Sequence, residues 1–322
     1  MRIVVASAYV PFRHDRNARL ATELTATLRK HGHQADAVLL PYQPTDADPV
    51  EQALGFRMLD LAECAGTRID RLIALGEPAH ALLHPHKTLW AVGSCRGKLG
   101  GLERADAQYR REARKIYYAN PQANYPHGGD VLYPPLLETA ALHPAEAGTH
   151  FVWAGSMYSD ARPEFALEAM RFVGMTCNLV MMPEGLTPPQ EAGLRRRIAE
   201  WDLEGRVELI PDASPTERHQ RLRHALGCLS VGLNQEAPED AIIEAFHARV
   251  PVLTVADSGA PASMIAHGVS GVEVDPNPRL LAMLMNKVAG DPAYRRELGE
   301  GGFGLLQSLG VSWDRVAEAL VA

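Results

Sequence analysis

The chemistry of this chain is concentrated around two glutamates. Glu236 and Glu244 stand with seven residues between them in Gln235-Glu236-Ala237-Pro238-Glu239-Asp240-Ala241-Ile242-Ile243-Glu244-Ala245-Phe246. The first falls in a loop, and the second falls on the second turn of a helix. A carboxylate in each place can accept hydrogen bonds from sugar hydroxyls. The helix N-terminus between them offers free backbone N–H groups to a diphosphate. Two glutamates at this spacing also arise by chance, and Glu239 and Asp240 in a first turn suit the helix dipole without any ligand. The surroundings must therefore decide. His14, in the loop after the first strand, is a candidate acid–base group. His80, His84 and His86 read as structural. Ser156 and Ser230 have no His/Asp partner at a recognisable spacing, so a hydrolase triad is not supported.

Composition narrows the setting. The chain has 322 residues, which suits two domains, and 46% of them are apolar, enough for packed cores. A net charge of -7 argues against nucleic acid as the partner, because phosphate neutralisation needs clustered Lys and Arg. Cys64, Cys95, Cys177 and Cys228 are scattered, so neither a disulfide framework nor a zinc site is expected. The opening Met1-Arg2-Ile3-Val4-Val5-Ala6 runs straight into a strand with no leader pattern, and no apolar run approaches a spanning length. A cytoplasmic protein without a membrane span is expected, with peripheral membrane contact left open.

These residues must be positioned by strands and helices. Ile3 to Ala8 reads as a buried strand, and Ala18, Leu20, Ala21, Leu24, Thr27 and Leu28 recur at helical spacing. Further segments follow: strand 35–40, helix 50–64, strands 71–75 and 88–92, helix 105–114 and strand 115–119. A Pro/Ala/Glu-rich seam spans about 134–149. The same grammar then restarts: strand 151–154, helix 164–172, strand 177–182, helix 188–201, strand 207–210, helix 215–225, strand 228–232, helix 240–248 and strand 251–255. The fold class is α/β, with two Rossmann-like domains and a cleft between them. The expected boundaries are 1–145, 146–305 and a C-terminal helical segment, 306–322, packing back on the first domain.

Motif order extends the reading. After Glu244 come Ala248-Arg249-Val250-Pro251-Val252, then Asp257-Ser258-Gly259-Ala260-Pro261, then His267-Gly268-Val269-Ser270-Gly271, then Asp291-Pro292 and Ser312-Trp313. This order resembles the retaining, family-four glycosyltransferases of the GT-B architecture over about residues 151–322. Tyr9-Val10-Pro11-Phe12, His84 to Trp90 and Leu132 to Leu136 resemble the acceptor domain of a branch of that family. The resemblance implies that Glu236 holds hydroxyls of the donor sugar and Glu244 the ribose. Ser258 and Gly259 would lie near the donor, and the base would sit against Pro211 to Ala213, including Asp212. It implies no metal and no cofactor, with a UDP- or GDP-sugar as donor and an unknown acceptor. Under that assignment Glu244→Ala weakens nucleotide binding and leaves folding nearly intact.

The chain departs from the family pattern in four places. The loop after strand one reads Arg13-His14-Asp15-Arg16-Asn17 where the family has a Gly-Gly pair. Beyond Gly155, the family's diphosphate-binding Arg and Lys correspond to Ser156 and Ala161, and Arg162 is the nearby cation that could substitute. No His follows the strand ending at Val92, and Glu239 replaces a glycine. The leading expectation is a glycosyltransferase. The alternatives are a degenerate, non-catalytic partner or scaffold, and a sugar-nucleotide epimerase or hydrolase whose carboxylates cannot be identified.

Overall fold

The structure is a computed structural model that describes residues 1–11, 16–42, 49–92, 108–109, 111–119, 129–136, 148–157, 161–235 and 240–322. The chain divides into two compact units, Met1–Leu137 with Val311–Ala322, and Glu138–Gly310.

The first unit begins with β1 (Arg2–Tyr9), α1 (Arg16–Lys30), β2 (Gln34–Pro41) and α2 (Pro49–Arg57). The short pair β3 (Glu63–Cys64) and β4 (Thr67–Arg68) follows, then β5 (Arg71–Leu75), β6 (Lys87–Ala91), β7 (Lys115–Tyr118) and β8 (Asp130–Val131). Its six-stranded sheet has the order β2-β1-β5-β6-β7-β8 and is parallel throughout. Alternation along β1 sends Ile3 and Val5 to one face and Val4 and Ala6 to the other. Both faces are covered, as a parallel sheet requires. On the first face Leu20, Leu24 and Leu28 of α1 pack with Val316 and Leu320 of the last helix, α10 (Trp313–Val321). Tyr117 Oη donates to the Ala319 carbonyl at 2.8 Å, and Trp313 Nε1 donates to the Leu136 carbonyl at 2.9 Å.

One expected element is shorter than its periodicity suggested. The helix foreseen over 50–64 stops at Arg57. Asp60 Oδ1 accepts from Ala62 N at 2.8 Å, a local turn that competes with helix. Ala65 and Gly66 then take positive φ and reverse the chain between β3 and β4. Much of the 134–149 seam and of the 105–114 helix lies outside the described residues.

The second unit repeats the strand–helix rhythm. It runs β9 (His150–Ser156), α3 (Pro163–Met170), β10 (Asn178–Glu184), α4 (Pro188–Glu200), β11 (Val207–Leu209), α5 (Pro215–Arg223) and β12 (Gly227–Ser230). Then come α6 (Asp240–His247), β13 (Val252–Val255), α7 (Ala260–Met264), β14 (Gly271–Val274), α8 (Pro278–Gly290) and α9 (Pro292–Leu309). Helices α5, α8 and α9 begin with a cap followed by proline: Ser214-Pro215, Asn277-Pro278 and Asp291-Pro292. The cap side chain takes an orphan N–H, and proline occupies a position whose N–H has no partner in any case. Phe151, Trp153, Leu179, Met181, Leu229 and Leu253 form the centre of the core.

Candidate functional site

The sheet of the second unit has the strand order β11-β10-β9-β12-β13-β14, all parallel. The first strand, β9, has β10 on one side and β12 on the other. The order reverses between β9 and β12, and ligands of such sheets bind beyond the carboxyl ends of the strands at that reversal. Gly155 and Ser156 end β9, in register with Pro183 and Glu184 of β10.

Arg162 lies across this switch point. It holds a left-handed conformation (φ 47°) immediately before Pro163 starts α3. Its Nε donates to the Val231 carbonyl at 2.8 Å, and Nη2 donates to the Gly232 carbonyl at 2.9 Å. Nη1 and Nη2 reach the two carboxylate oxygens of Asp257 at 2.8 and 2.7 Å. A guanidinium has five N–H donors, and these bonds occupy all but one. Arg162 is therefore a clasp between the loops after β12 and β13. The part foreseen for it, a diphosphate cation, would have to compete with Asp257.

Those two loops are also joined through their backbones. Gln235 N donates to the Ser258 carbonyl at 2.9 Å, and Ala260 N donates to the Gln235 carbonyl at 2.7 Å. Gly259 sits at φ 79°, and a Cβ there would lie 2.5 Å from the Gln235 carbonyl oxygen. Close backbone approach, as well as the positive φ, requires glycine at this position. Ser258 is fully buried. Thr254 Oγ1 gives its proton to the Ser230 carbonyl at 2.7 Å, so Ser258 Oγ is the donor in their 2.8 Å contact. Ser258 also accepts from Ala262 N at 3.1 Å. Its hydroxyl is used within the unit.

Glu244 is the polar member of an otherwise apolar run, Ala241 to Phe246, on α6. Arg218, from α5, reaches Oε1 from Nη2 at 2.7 Å and Oε2 from Nε at 2.8 Å. His219 Nε2 lies 3.2 Å from Oε1. His219 Nδ1 is buried with no hydrogen-bond partner among the described residues. Arg218 Nη1 extends the chain of bonds to Glu184 Oε1 at 2.7 Å. Burial alone would push the Glu244 carboxyl up. Hydrogen bonds from His219 and Arg218 outweigh it and hold the group below its ordinary range. Arg218 is likewise buried, and Glu244, Glu184 and Asp240 hold its pKa above the ordinary value.

Asp212 holds φ 49°, accepts from Gly185 N at 2.8 Å through Oδ1, and donates its own N–H to the Pro183 carbonyl at 2.9 Å. It ties the loop after β11 to the end of β10. Glu236, Glu239 and His14 lie outside the described residues. Sequence reading missed Arg218, Glu184 and Asp257. The available signal for Arg218 was its helical spacing of four from Leu222, which puts it on the buried face of α5, where an arginine demands carboxylate partners. Among the described residues, no group of three or more His, Cys, Asp or Glu could hold a metal ion. No helix of the described residues is long and apolar enough to cross a membrane.

No family model and no curated protein sequence matches the chain. Among solved structures, it is similar to HepE of Anabaena in complex with UDP-glucose, with a TM-score of 0.76 and 11% identity over 100% of this chain and 99% of that one. The chain has the GT-B fold. Two further GT-B structures match over nearly the whole chain. Sucrose-phosphate synthase from Thermosynechococcus elongatus gives a TM-score of 0.74 at 15% identity, covering 99% of this chain and 97% of that one. WaaG, a glycosyltransferase involved in lipopolysaccharide biosynthesis, gives 0.67 at 14% identity, with all of both chains covered. HepE is also known with UDP and with UDP and glucose. At these identities the likeness is one of GT-B fold.

Proposed function

We propose that this protein is a retaining glycosyltransferase that takes a sugar from a nucleoside diphosphate sugar, with UDP the preferred nucleotide over GDP. The observation that carries the proposal is the whole-chain likeness to HepE bound to UDP-glucose. The motif order from Glu236 to Trp313 supports it independently. In this reading Glu236 receives hydroxyls of the donor sugar, and His14 serves as an acid–base group. Gly155 and Ser156 let the backbone approach the diphosphate at the β9/β12 switch point, and Gly259 shapes the neighbouring turn. The base sits against Pro211 to Ala213, where Asp212 braces the loop. Catalysis is electrostatic: dipoles and cations stabilise the departing diphosphate as the sugar–oxygen bond breaks.

A thermal-shift and calorimetric panel of UDP, GDP and their sugar conjugates tests this reading. Ligand that binds only the folded chain raises the melting temperature with concentration. A rise with UDP and UDP-sugars, exceeding that with GDP, is expected. If no nucleotide shifts the melting temperature, the proposal fails.

One observation favours a second reading, a non-catalytic glycosyltransferase-like partner protein. Both arginines at the carboxyl edge, Arg162 and Arg218, are already paired with carboxylates of this chain. Release of UDP from UDP-glucose in the presence of an acceptor panel separates the two readings. Binding with no turnover across the panel supports the partner protein.

A further inference from the structure

We infer that Glu184, and not Glu244, is the carboxylate that receives the ribose hydroxyls of the nucleotide. The inference rests on the nucleotide binding proposed above.

Strand order sets the geometry. A nucleotide whose base lies at the loop after β11 and whose diphosphate lies at the β9/β12 switch point must cross the carboxyl end of β10 between them. Adjacent strands are ~4.8 Å apart, so the path covers about two to three strand spacings. The ribose, between base and diphosphate, falls over the end of β10. Glu184 is the last residue of β10. It pairs in register with Ser156 at the end of β9. The next residue, Gly185, donates its N–H to Asp212 in the loop assigned to the base. An acid that meets ribose hydroxyls from within the first strands of the sheet is the usual solution in dinucleotide-binding parallel sheets.

The two carboxylates differ in what they have left to offer. The Glu244 side chain is 3% exposed, with Oε1 and Oε2 both engaged by Arg218 and Oε1 also in contact with His219. Glu244 Oε2 keeps lone-pair capacity beyond Arg218 Nε, but at this burial a ribose could reach it only if the packing around Arg218 opened. The Glu184 side chain is 37% exposed. Its Oε1 accepts from Arg218 Nη1 at 2.7 Å, and its Oε2 has no partner among the described residues. The ion pairing points the same way. Glu244 already pairs with Arg218 through both of its oxygens, so Glu184 is a second carboxylate on one guanidinium and keeps one oxygen to accept from a ligand. Hydroxyl donors satisfy such a group without adding charge. Arg218 then orients Glu184, and Glu244 holds Arg218 in place.

The experiment is calorimetric titration of UDP, 2′-deoxy-UDP and 3′-deoxy-UDP into wild type, Glu184→Gln and Glu184→Asp. Wild type is expected to bind UDP about tenfold more tightly than at least one deoxy analogue, the scale of a hydrogen bond to a charged acceptor. Glu184→Gln is expected to weaken UDP about tenfold, leave the deoxy analogue nearly unchanged, and so abolish the preference. Glu184→Asp keeps the charge beside Arg218 and withdraws the carboxylate by one methylene. It is expected to fold like wild type and to lose the preference too. If wild type binds UDP but does not discriminate, or if the folded variants keep its preference, Glu184 is not the ribose acceptor while nucleotide binding stands. If wild type binds none of the three, nucleotide binding itself fails and the inference falls with it.

Discussion

Arg162 and Asp257, 95 residues apart in sequence, meet as a two-pronged ion pair with both N–O distances below 2.9 Å. The pair is part-buried, with side-chain exposures of 23% and 31%. It fastens the start of α3 to the loop after β13, at the point where the sheet reverses its strand order. Asp257→Asn keeps the shape and removes the charge. A part-buried pair of this geometry is worth about 1–2 kcal/mol, between exposed and fully buried cases. Urea unfolding of Asp257→Asn is expected to show that loss. Calorimetry is expected to show tighter binding of UDP, because Arg162 no longer shares its charge with a carboxylate. An unchanged or weaker affinity for UDP would mean that Arg162 is a clasp alone.

Glu244→Ala is predicted to damage folding. That reverses the expectation drawn from the sequence, in which Glu244 faced a ligand. Truncation leaves the Arg218 guanidinium buried without its bidentate partner, a loss of about 3–5 kcal/mol. Replacing both members, Arg218→Met with Glu244→Leu, removes the stranded charge and is expected to come within about 1 kcal/mol of wild type. Equilibrium urea unfolding of wild type, single and double variants measures both numbers. A single variant as stable as wild type would contradict the buried pair.

The same network predicts an acid limb to stability. The folded-state pKa of Glu244 lies below the ordinary carboxylate value, held there against burial by His219 and Arg218. The unfolded chain therefore takes up the proton first as pH falls. The contribution of Glu244 is complete above the unfolded value and is lost as pH drops through the folded one. Wild type is expected to lose stability more steeply between about pH 5 and pH 3 than the Arg218→Met/Glu244→Leu variant, measured by urea unfolding at each pH. Parallel curves would remove Glu244 as the source.

Much of this organisation is legible in the sequence because it is local. The β-branched run Ile3 to Val5 and the helical spacing from Ala18 to Leu28 each declare an element within a few residues. The two-residue strands β3 and β4 are too short to carry a period, so nothing in the spacing marks the end of the helix before them. The site is harder to read for a different reason. Glu244 stands out by type and spacing, but its use is set by Arg218 on another helix, and Arg162 finds Asp257 from the far side of two strands. Pairings of that kind depend on strand order, which no spacing in the chain records.

Lys87 provides a prediction at the alkaline end, in the first unit. Its side chain is fully buried at the start of β6, and Nζ donates to the carbonyls of His80, Leu82 and Tyr109 at 2.8, 3.0 and 3.0 Å. Glu112 lies further off, at 3.8 Å. Burial pulls the pKa down to about 8, against the attraction of Glu112. The unfolded lysine keeps its proton to a higher pH than the folded one. Between about pH 8 and the ordinary lysine range the unfolded state binds more protons, so stability rises with pH there. Below about pH 8 both states are protonated, and the fold bears the full cost of the buried charge. Wild type is therefore expected to gain about 1–2 kcal/mol over Lys87→Met between about pH 7 and pH 9.5, since a tenfold change in proton affinity is worth ~1.4 kcal/mol. The comparison with Lys87→Met cancels groups that titrate in both proteins. Urea unfolding at the two pH values decides it. A constant difference would mean that the three carbonyls hold the ammonium charged throughout, so that hydrogen bonding to the cation outweighs its desolvation.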